Sequence, residues 1–491
     1  MLSNSIEASG LLLGEARRRH VGMLVRTLML FASTLIFAPM HAIADIKPRV
    51  FVLTDISNEP DDEESLVRFL VYSNEFDVEG LVATTSTWLR KGTREDLIHR
   101  QIDAFAKVRG NLIKHADGYP TPEHLHSISS TGQATYGMEA VGEGKSTPGS
   151  RLLIQAADKD DERPLWVLVW GGANTLAQAL HDIRSSRSKE ELDRFVRRLR
   201  IYTISDQDDA GPWIRREFPE LFYIASPSPP DDLEYWRATW TGISGDRRYK
   251  NGPMHHFELV ENPWLEENVI RAHGALGALY PKLIYIMEGD TPSFLGLISN
   301  GLGWQTSPAY GGWGGRYAWY QPSGETRAFW TNNANSRDTV TAANGETDTS
   351  DPATVWRWRE HFQNDFAARM DWCVADSEDA ANHNPKPVLN GDNTKDVLTL
   401  SATSGAEVSL SAAGTSDPDD DAVSVRWWIY PEASSLEGAT LTAASGLATT
   451  VRLPKVDQAR TLHVILEAKD AGEPNLFAYR RVVLEVKSAD R

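Results

Sequence analysis

The chain contains a single cysteine, Cys373, among its 491 residues. One cysteine excludes an intrachain disulfide, a cysteine-based zinc ribbon and a Cys-x-x-Cys redox motif. Because Cys373 follows an aromatic run, we interpret it as a packed core residue rather than a nucleophile. A large domain buries enough apolar surface to be stable without a disulfide.

Positive charge is also scarce, with 50 Lys and Arg against 68 Asp and Glu and a net charge of −18. Nucleic-acid polymers and anionic membranes require a basic face, so this balance argues against both as partners. The acidity suits a cation site, although surface acids also serve solubility alone. The apolar and charged fractions are otherwise those of an ordinary globular protein of two or three domains.

Apolar runs long enough for a stable membrane span are not found, and the N-terminal run Leu28–Met40 is too short for one. Four arginines precede it: Arg17, Arg18, Arg19 and Arg26. A small-x-small motif at residues 42–44 follows it. The pattern predicts a signal peptide over residues 1–44, cleaved between Ala44 and Asp45, with Met23 as an alternative initiator. The mature protein is then periplasmic or secreted, and an uncleaved anchor is the alternative.

Short, continuously apolar runs alternate with helical patterns through residues 45–375, which we interpret as one domain. The runs predict strands at residues 49–54, 78–84, 164–170, 200–205 and 282–287. Helical periodicity is clearest over residues 94–108 and 174–183. Strands of this kind, separated by helices, predict an α/β fold with a mostly parallel sheet covered on both faces.

Polar clusters directly follow the predicted strands, at residues 55–62, 84–87, 171–174, 206–209 and 288–291. The opposite strand ends lack such clusters. Ligands of open α/β sheets bind at the carboxyl ends of the strands, so these clusters predict one functional edge.

A polar segment rich in asparagine and proline, residues 376–388, predicts a linker. Beyond it the pattern changes to short alternating strands at residues 397–401, 407–411, 423–430, 449–453, 462–468 and 481–486. Their even spacing predicts a β-sandwich over residues 389–491.

The first polar cluster carries four carboxylates within eight residues: Asp55, Glu59, Asp61 and Asp62. Packed together, these groups repel unless a cation or a proton neutralises them. Carboxylates are hard oxygen donors, which favour Ca²⁺ or Mg²⁺ over zinc. The alternative is an acidic helix N-terminus, which accounts for Asp61 and Asp62 but leaves Asp55 unexplained.

Long motifs of this chain resemble a known family. The segment VFVLTDISNEPDDEESLVR resembles the N-terminal signature of the nucleoside hydrolases. It is more similar to an exported bacterial family whose members are often labelled cellulose-binding proteins. The segments YTISDQDDAGPWIRREFPELFYI, MEGDTPSFLGLISNGL and GGWGGRY resemble the same family. The resemblance covers nearly the whole mature chain. It implies a nucleoside hydrolase-like, Rossmann-like sheet, followed by an Ig-like or cadherin-like β-sandwich.

The resemblance also implies one Ca²⁺ ion held by carboxylates at this edge. By position, Asp55 matches a metal ligand and general base, and Asp61 and Asp62 match the closing pair of the signature. One of that pair binds the sugar and the other bridges to the metal. Asn174 falls in the turn that supplies a carbonyl ligand, and Asp290 matches the late aspartate ligand. The implied metal ligands are thus Asp55, Asp62, Asn174 and Asp290.

Substrate contacts are expected from several loops. Thr87, Gln207 and Asp208 fall where the family contacts the sugar, and Asn58 belongs to the acidic loop. Glu59 and Glu288 are candidates for the acid that protonates a leaving group. Two residues of the glycine-rich segment 311–316 complete the set. Trp313 either stacks on a sugar or braces the loop, and Arg316 either clamps an anionic sugar or pairs with an acid.

The chain departs from the nucleoside hydrolase signature at three points. Leu53 replaces the first aspartate, two extra residues separate Asp55 from Asp61, and Gly289 replaces a histidine that often serves the base. The resemblance therefore supports the fold and the metal better than it supports nucleosides as substrates.

The sequence predicts an exported, Ca²⁺-dependent hydrolase of an N- or O-glycosidic bond in a ribose-like or cell-wall furanoside, with Asp55, Glu59 and Asp61 as catalytic residues. Its partner is then a small sugar, a glycoside or a polysaccharide, and its oligomeric state is open. Two alternatives remain: a non-catalytic carbohydrate-binding protein on a degenerate site, and a purely structural Ca²⁺ site.

Overall fold

The computed structural model describes residues 46–57, 59–226, 238–245, 255–342 and 344–488. The predicted signal peptide, its cleavage site and Asn58 lie outside these residues. Among the helices described here, none combines the length and the apolar character needed to cross a bilayer.

An eight-stranded sheet forms the α/β part, in the order β3-β2-β1-β4-β5-β6-β8-β7. All its pairings are parallel except that of the edge strand β7 with β8. The strands are β1 (Arg49–Thr54), β2 (Asp77–Ala83), β3 (Ser129–Thr131), β4 (Leu165–Val169), β5 (Leu199–Thr203), β6 (Phe222–Ala225), β7 (Ala318–Tyr320) and β8 (Phe329–Thr331). A separate hairpin consists of β9 (Asp338–Thr341) and β10 (Thr347–Ser350).

Helices and short helical turns cover both faces of this sheet. They are α1 (Pro60–Val71), α2 (Glu95–His115), α3 (Pro122–Ser127), α4 (Pro148–Asp158), α5 (Asn174–Ser186), α6 (Lys189–Arg197), α7 (Ala210–Glu217), α8 (Asn262–Leu265), α9 (Gly274–Gly277), α10 (Pro292–Leu295), α11 (Ala353–Trp356) and α12 (Arg359–Trp372). Every residue of β1 and β4 is buried, because alternate side chains enter two different cores. This double burial explains why the strands are continuously apolar.

The predicted strand at residues 282–287 is wrong. This segment has no regular structure, and Ile284 and Tyr285 are exposed. The place beside β6 is instead taken by β8, a strand of three residues that was not predicted. The apolar residues Leu283, Ile286 and Met287 of the segment enter the core from irregular chain, so a buried run was mistaken for a strand.

The C-terminal part contains two sheets, with strand orders β11-β17-β16-β13 and β12-β15-β14. Its strands are β11 (Leu398–Thr403), β12 (Glu407–Ser411), β13 (Ser424–Ile429), β14 (Thr440–Leu441), β15 (Ala448–Arg452), β16 (Arg460–Lys469) and β17 (Phe477–Lys487). These sheets enclose their own apolar core, as the alternating pattern predicts. The predicted fold class, an α/β domain followed by an all-β domain, is confirmed.

Side chains of the β part also enter the core of the α/β part. Phe477 and Tyr479 of β17 belong to that core, and Arg481 donates to the carbonyls of Leu302 and Gly311. The residues from Asp45 to Arg491 group as one compact unit. The predicted boundaries at residues 375 and 389 stay predictions.

Candidate metal and catalytic site

Three carboxylates converge at the carboxyl edge of the sheet. Asp61, Asp62 and Asp290 each present one oxygen, and the three oxygens lie within 4.8 Å of one another. Asp61 and Asp62 belong to the first turn of α1, which begins at Pro60 directly after the β1 loop. Asp290 comes from the turn before α10, more than 200 residues later. The fold thus gathers the predicted early and late aspartates into one cluster.

Asp55 follows β1 and lies beside this cluster. Its Oδ2 atom accepts a hydrogen bond from the Ser86 hydroxyl, and its Oδ1 atom accepts none within the described residues. Asp62 is fixed similarly, because its Oδ1 atom accepts from the Thr54 hydroxyl. Each carboxylate is therefore oriented by a hydroxyl on β1 or in the loop after β2.

The turn that carries Asp290 is clamped to its surroundings. Glu288 is fully buried and forms an ion pair with Arg68 of α1. The Ser293 hydroxyl donates to the Asp290 carbonyl at 2.7 Å and accepts from the Trp170 indole at 2.9 Å. Asp290 is thus held between α1 and the end of β4.

Burial and mutual repulsion dominate the electrostatics of the cluster. Burial raises the pKa of Asp55. Burial and the charges of Glu59 and Asp55 raise the pKa of Asp61 well above its ordinary value. Burial and the charges of the neighbouring aspartates do the same for Asp62 and Asp290. Four acids that oppose one another's ionisation require a proton or a cation to balance them.

The residues present fit a divalent cation. Oδ1 of Asp55, Oδ1 of Asp61 and Oδ2 of Asp290 are buried and accept no hydrogen bond within the described part of the chain. Buried polar atoms are rarely left without a partner, so these oxygens point to a ligand. Hard carboxylate oxygens suit Ca²⁺ or Mg²⁺ rather than a softer metal.

Glycines allow the loops to close around the acids. A Cβ atom at Gly171 would lie 2.5 Å from Oδ1 of Asp55, and one at Gly289 would lie 2.8 Å from Oδ2 of Asp61. Gly289 stands where the resemblance implies a histidine. A side chain at this position would displace Asp61. The glycine therefore allows Asp61 to lie close to the turn that carries Asp290.

Two of the predicted sugar-binding residues, Gln207 and Asp208, lie in the loop after β5. Asp208 accepts hydrogen bonds from the amides of Asn174 and Ala210, and burial raises its pKa to about 7. The Gln207 amide donates to the Trp170 carbonyl at 2.7 Å, which leaves its buried Oε1 atom without a partner in the described residues. Gln207 therefore offers an acceptor to a ligand.

Asn174 begins α5, and its side chain is occupied by the neighbouring loops. Its amide donates to Thr85 and to the Thr135 carbonyl, and its Oδ1 atom accepts from Thr84. These bonds connect the start of α5 to the loops that follow β2 and β3. The side chain is thus bonded to the neighbouring loops, and the expected carbonyl ligand at Asn174 stays a prediction.

Glu59 and Thr87 lie in the loops that border the cluster. Glu59 immediately precedes α1 and is half-buried, and its charge contributes to the raised pKa values of Asp61, Asp62 and Asp290. Thr87 is half-buried in the loop after β2.

Three other predicted residues have their polar groups occupied within the protein. Glu288 also accepts from Tyr280 and Thr291, so its carboxylate faces inward. Trp313 is 2% exposed, belongs to the apolar core, and donates its indole N–H to the Tyr479 hydroxyl. Arg316 is buried and bonded to Asp338. We therefore leave Glu288, Trp313 and Arg316 out of the proposed substrate contacts.

Sequence reasoning missed the residues that orient the acids. Thr54 and Ser86 bond Asp62 and Asp55, and buried Glu64 accepts from the Glu288 amide at 2.9 Å. Ser86 belongs to the predicted polar cluster at residues 84–87. Its bond to Asp55 joins the ends of two strands, and such a contact cannot be predicted from the local sequence.

Comparison with known proteins agrees with this architecture. Residues 49–317 match the family model "Cellulose-binding Sde182, nucleoside hydrolase-like domain". Residues 407–486 match "Cellulose-binding protein Sde0182, C-terminal domain". A comparison with curated proteins gives no match.

One solved structure is similar to this chain over most of its length. A nucleoside hydrolase-related hypothetical protein from Saccharophagus degradans, described as associated with carbohydrate metabolism, is 38% identical with a TM-score of 0.76. The alignment covers 90% of this chain and 100% of that one. The effector protein XOO4466 is 9% identical with a TM-score of 0.36, over 67% of this chain and 95% of that one.

The fold, the two family models and the Saccharophagus degradans structure define a nucleoside hydrolase-like α/β protein with a C-terminal β domain. The chain belongs to the Sde182 family of cellulose-binding proteins with a nucleoside hydrolase-like domain.

Proposed function

We propose that this protein is an exported, Ca²⁺-dependent glycosyl hydrolase. Its substrate is an N- or O-glycoside of a ribose-like or cell-wall furanoside sugar. The observation that carries the proposal is the set of buried carboxylate oxygens of Asp55, Asp61 and Asp290 that accept no hydrogen bond in the described residues. Export rests on the predicted signal peptide, which places the mature protein in the periplasm or outside the cell.

Asp61, Asp62 and Asp290 would hold the cation, with Asp55 at its side. Calcium held by these carboxylates would supply polarisation of a water and an anchor for neighbouring sugar hydroxyls. The carboxylates stabilise the positive charge that develops on the sugar ring during glycosidic cleavage.

The remaining steps use residues of the chain. Asp55, fixed by Ser86, takes a proton from the water that attacks the anomeric carbon. Glu59, half-buried at the start of α1, protonates the leaving group. Gln207 accepts from a sugar hydroxyl through its Oε1 atom, with Asp208 and Thr87 in the neighbouring loops.

The test is hydrolysis of nitrophenyl furanosides, nitrophenyl pyranosides and natural nucleosides, with calcium and then with EDTA. We expect calcium-dependent release from one class of substrate. Asp55→Asn should lower kcat by about 10²–10⁴-fold, because it removes the general base. Glu63→Gln alters an uninvolved carboxylate in the same helical turn and should retain activity. Calcium-independent release, or equal loss in both variants, would contradict the proposal.

A second candidate function is glycan binding without catalysis, which the cellulose-binding family description favours. Aromatic rings exposed on the surface, such as Trp319 and Tyr320 on the edge strand β7, are the side chains that stack on sugar rings. Binding to cellulose without release from any glycoside in the panel would make this candidate the leading one.

A further inference from the structure

A cavity of about 210 Å³ lies where the α/β part meets the β part. Ile298, Asn300, Trp313, Asp365 and Arg369 line it from the α/β side. Its other walls are the segment before β11, from Asn384 to Lys395, and the start of β17, from Phe477 to Arg480. None of the proposed catalytic or metal-binding residues lines this cavity.

Arg480 supplies an unpartnered donor to this cavity. Its side chain is 1% exposed, its terminal nitrogens donate to the backbone carbonyls of Asp392 and Asp396, and one of them also pairs with the Asp392 carboxylate. Its Nε atom has no hydrogen-bond partner within the described residues. A buried guanidinium nitrogen without a partner is costly, so this donor points to an acceptor that enters the cavity.

The charges of the side chains that line the cavity determine whether it favours an anionic or a neutral acceptor. Four cationic side chains, Arg369, Lys386, Lys395 and Arg480, face two carboxylates, Glu75 and Asp365. Both carboxylates are already bonded to Arg369. Arg480 also pairs with the Asp392 carboxylate at 3.3 Å, so the four cationic side chains stand against three carboxylates and leave one net positive charge at the cavity.

The remaining lining suits a polyhydroxylated ring. Rings of Trp313, Phe477 and Tyr479 provide apolar surface. The Asn384 amide donates to Asp365 and to the Phe477 carbonyl, so its Oδ1 atom remains available as an acceptor. The volume equals that of about seven water molecules in the liquid, which accommodates one sugar ring with its substituents.

We propose that this cavity binds a sugar acid of monosaccharide size, with its carboxylate towards Arg480 and Lys386. The arginine offers a charge-assisted hydrogen bond, and Lys386, which is exposed at the mouth, attracts the anion. The ring lies against the aromatic wall, and its hydroxyls bond to Asn384 and Asn300. This site is independent of the proposed hydrolysis.

The test is calorimetric titration of the full chain with glucuronate and galacturonate, and with glucose and galactose as neutral counterparts. EDTA is present throughout, so that calcium at the acid cluster does not contribute. We expect saturable binding of at least one acid, about tenfold tighter than its neutral counterpart, which corresponds to about 1.4 kcal/mol. Binding of neither acid, or equal binding of acid and neutral sugar, would overturn the proposal.

Two charge reversals locate the binding. Lys386→Glu should weaken binding of the acid by about tenfold, because a charge-assisted contact becomes a repulsion. Lys455→Glu makes the same change at an exposed position of the β part outside this cavity and should leave the affinity unchanged. Asp55→Asn should also leave it unchanged, which separates this site from the proposed catalytic one. An affinity that survives Lys386→Glu would refute the location.

Discussion

Asp62 shows how single residues determine the properties of the acid cluster. Its carboxylate is buried, bonded to Thr54, and surrounded by Asp55 and Asp61. A carboxyl whose folded pKa exceeds its unfolded pKa stabilises the fold fully at low pH, where it is protonated in both states. That contribution is lost as the pH rises through the folded pKa.

We therefore expect the effect of Asp62→Asn to depend on pH when no cation is present. At about pH 3.5, below the ordinary pKa of an aspartate, the variant and the parent should have similar stability, because the carboxyl is largely protonated in both the folded and the unfolded parent. At pH 8 the variant should be more stable by about 1–2 kcal/mol, because it carries no charge to bury. Denaturant unfolding in EDTA at both pH values measures this difference. A variant that is less stable at pH 8 would contradict the assignment.

Sequence alone indicated the acids of the cluster but not the direction of every side chain. Asp55, Asp62 and Asp290 follow from their places after strands and in a family-like motif. Glu288 was assigned to the substrate, whereas it faces Arg68, 220 positions away in the chain. Which way a carboxylate turns depends on such distant partners, and local spacing carries no information about them.

At the scale of elements, α1 connects the two halves of the acid cluster. Its first turn supplies Asp61 and Asp62, and Arg68 near its end holds Glu288, two residues before Asp290. The pair is fully buried, and the Arg68 guanidinium also lies 3.8 Å from the centre of the Phe366 ring. The distance between the early and late aspartates therefore depends on this ion pair.

Arg68→Met should destabilise the protein by about 3–5 kcal/mol, because it leaves the Glu288 charge buried without a partner. Calcium affinity should fall as well, since the Asp290 turn loses its clamp. The double variant Arg68→Met/Glu288→Met removes both charges and should recover part of the stability. Thermal unfolding and calcium titration of the three proteins measure both effects. Equal stability of the single and double variants would show that the pair does not act as a clamp.

The strands differ in how far their sequences predicted them. Strands β1, β2, β4 and β5 are buried on both faces, so continuous apolar runs marked them clearly. Strand β8 has three residues and too short a pattern to recognise. Residues 282–287 have the composition of a strand but no neighbouring strand to pair with, and pairing is a tertiary property.

At the scale of the whole molecule, the β part completes the core of the α/β part. Arg481 of β17 is fully buried and reaches two carbonyls of the α/β part, while Tyr479 packs against Trp313 and Trp358. The sequence predicted two domains from a change of periodicity, but this shared packing left no mark in the pattern.

We expect the two parts to unfold together. Arg481→Ala should lower the free energy of unfolding by about 3 kcal/mol or more, because two buried carbonyls lose their donor. Scanning calorimetry of the parent should show one transition, and the variant should show one transition at a lower temperature. Two separate transitions in the parent, with only one of them shifted by Arg481→Ala, would contradict shared packing.

If the buried aspartates form one cation site, the chelator-stripped protein should bind calcium, and calorimetric titration measures this binding. We expect saturable binding of one ion per chain that depends on Asp62, so that Asp62→Asn loses it while Glu63→Gln retains it. Absence of calcium binding, or binding that is unchanged in Asp62→Asn, would contradict the account.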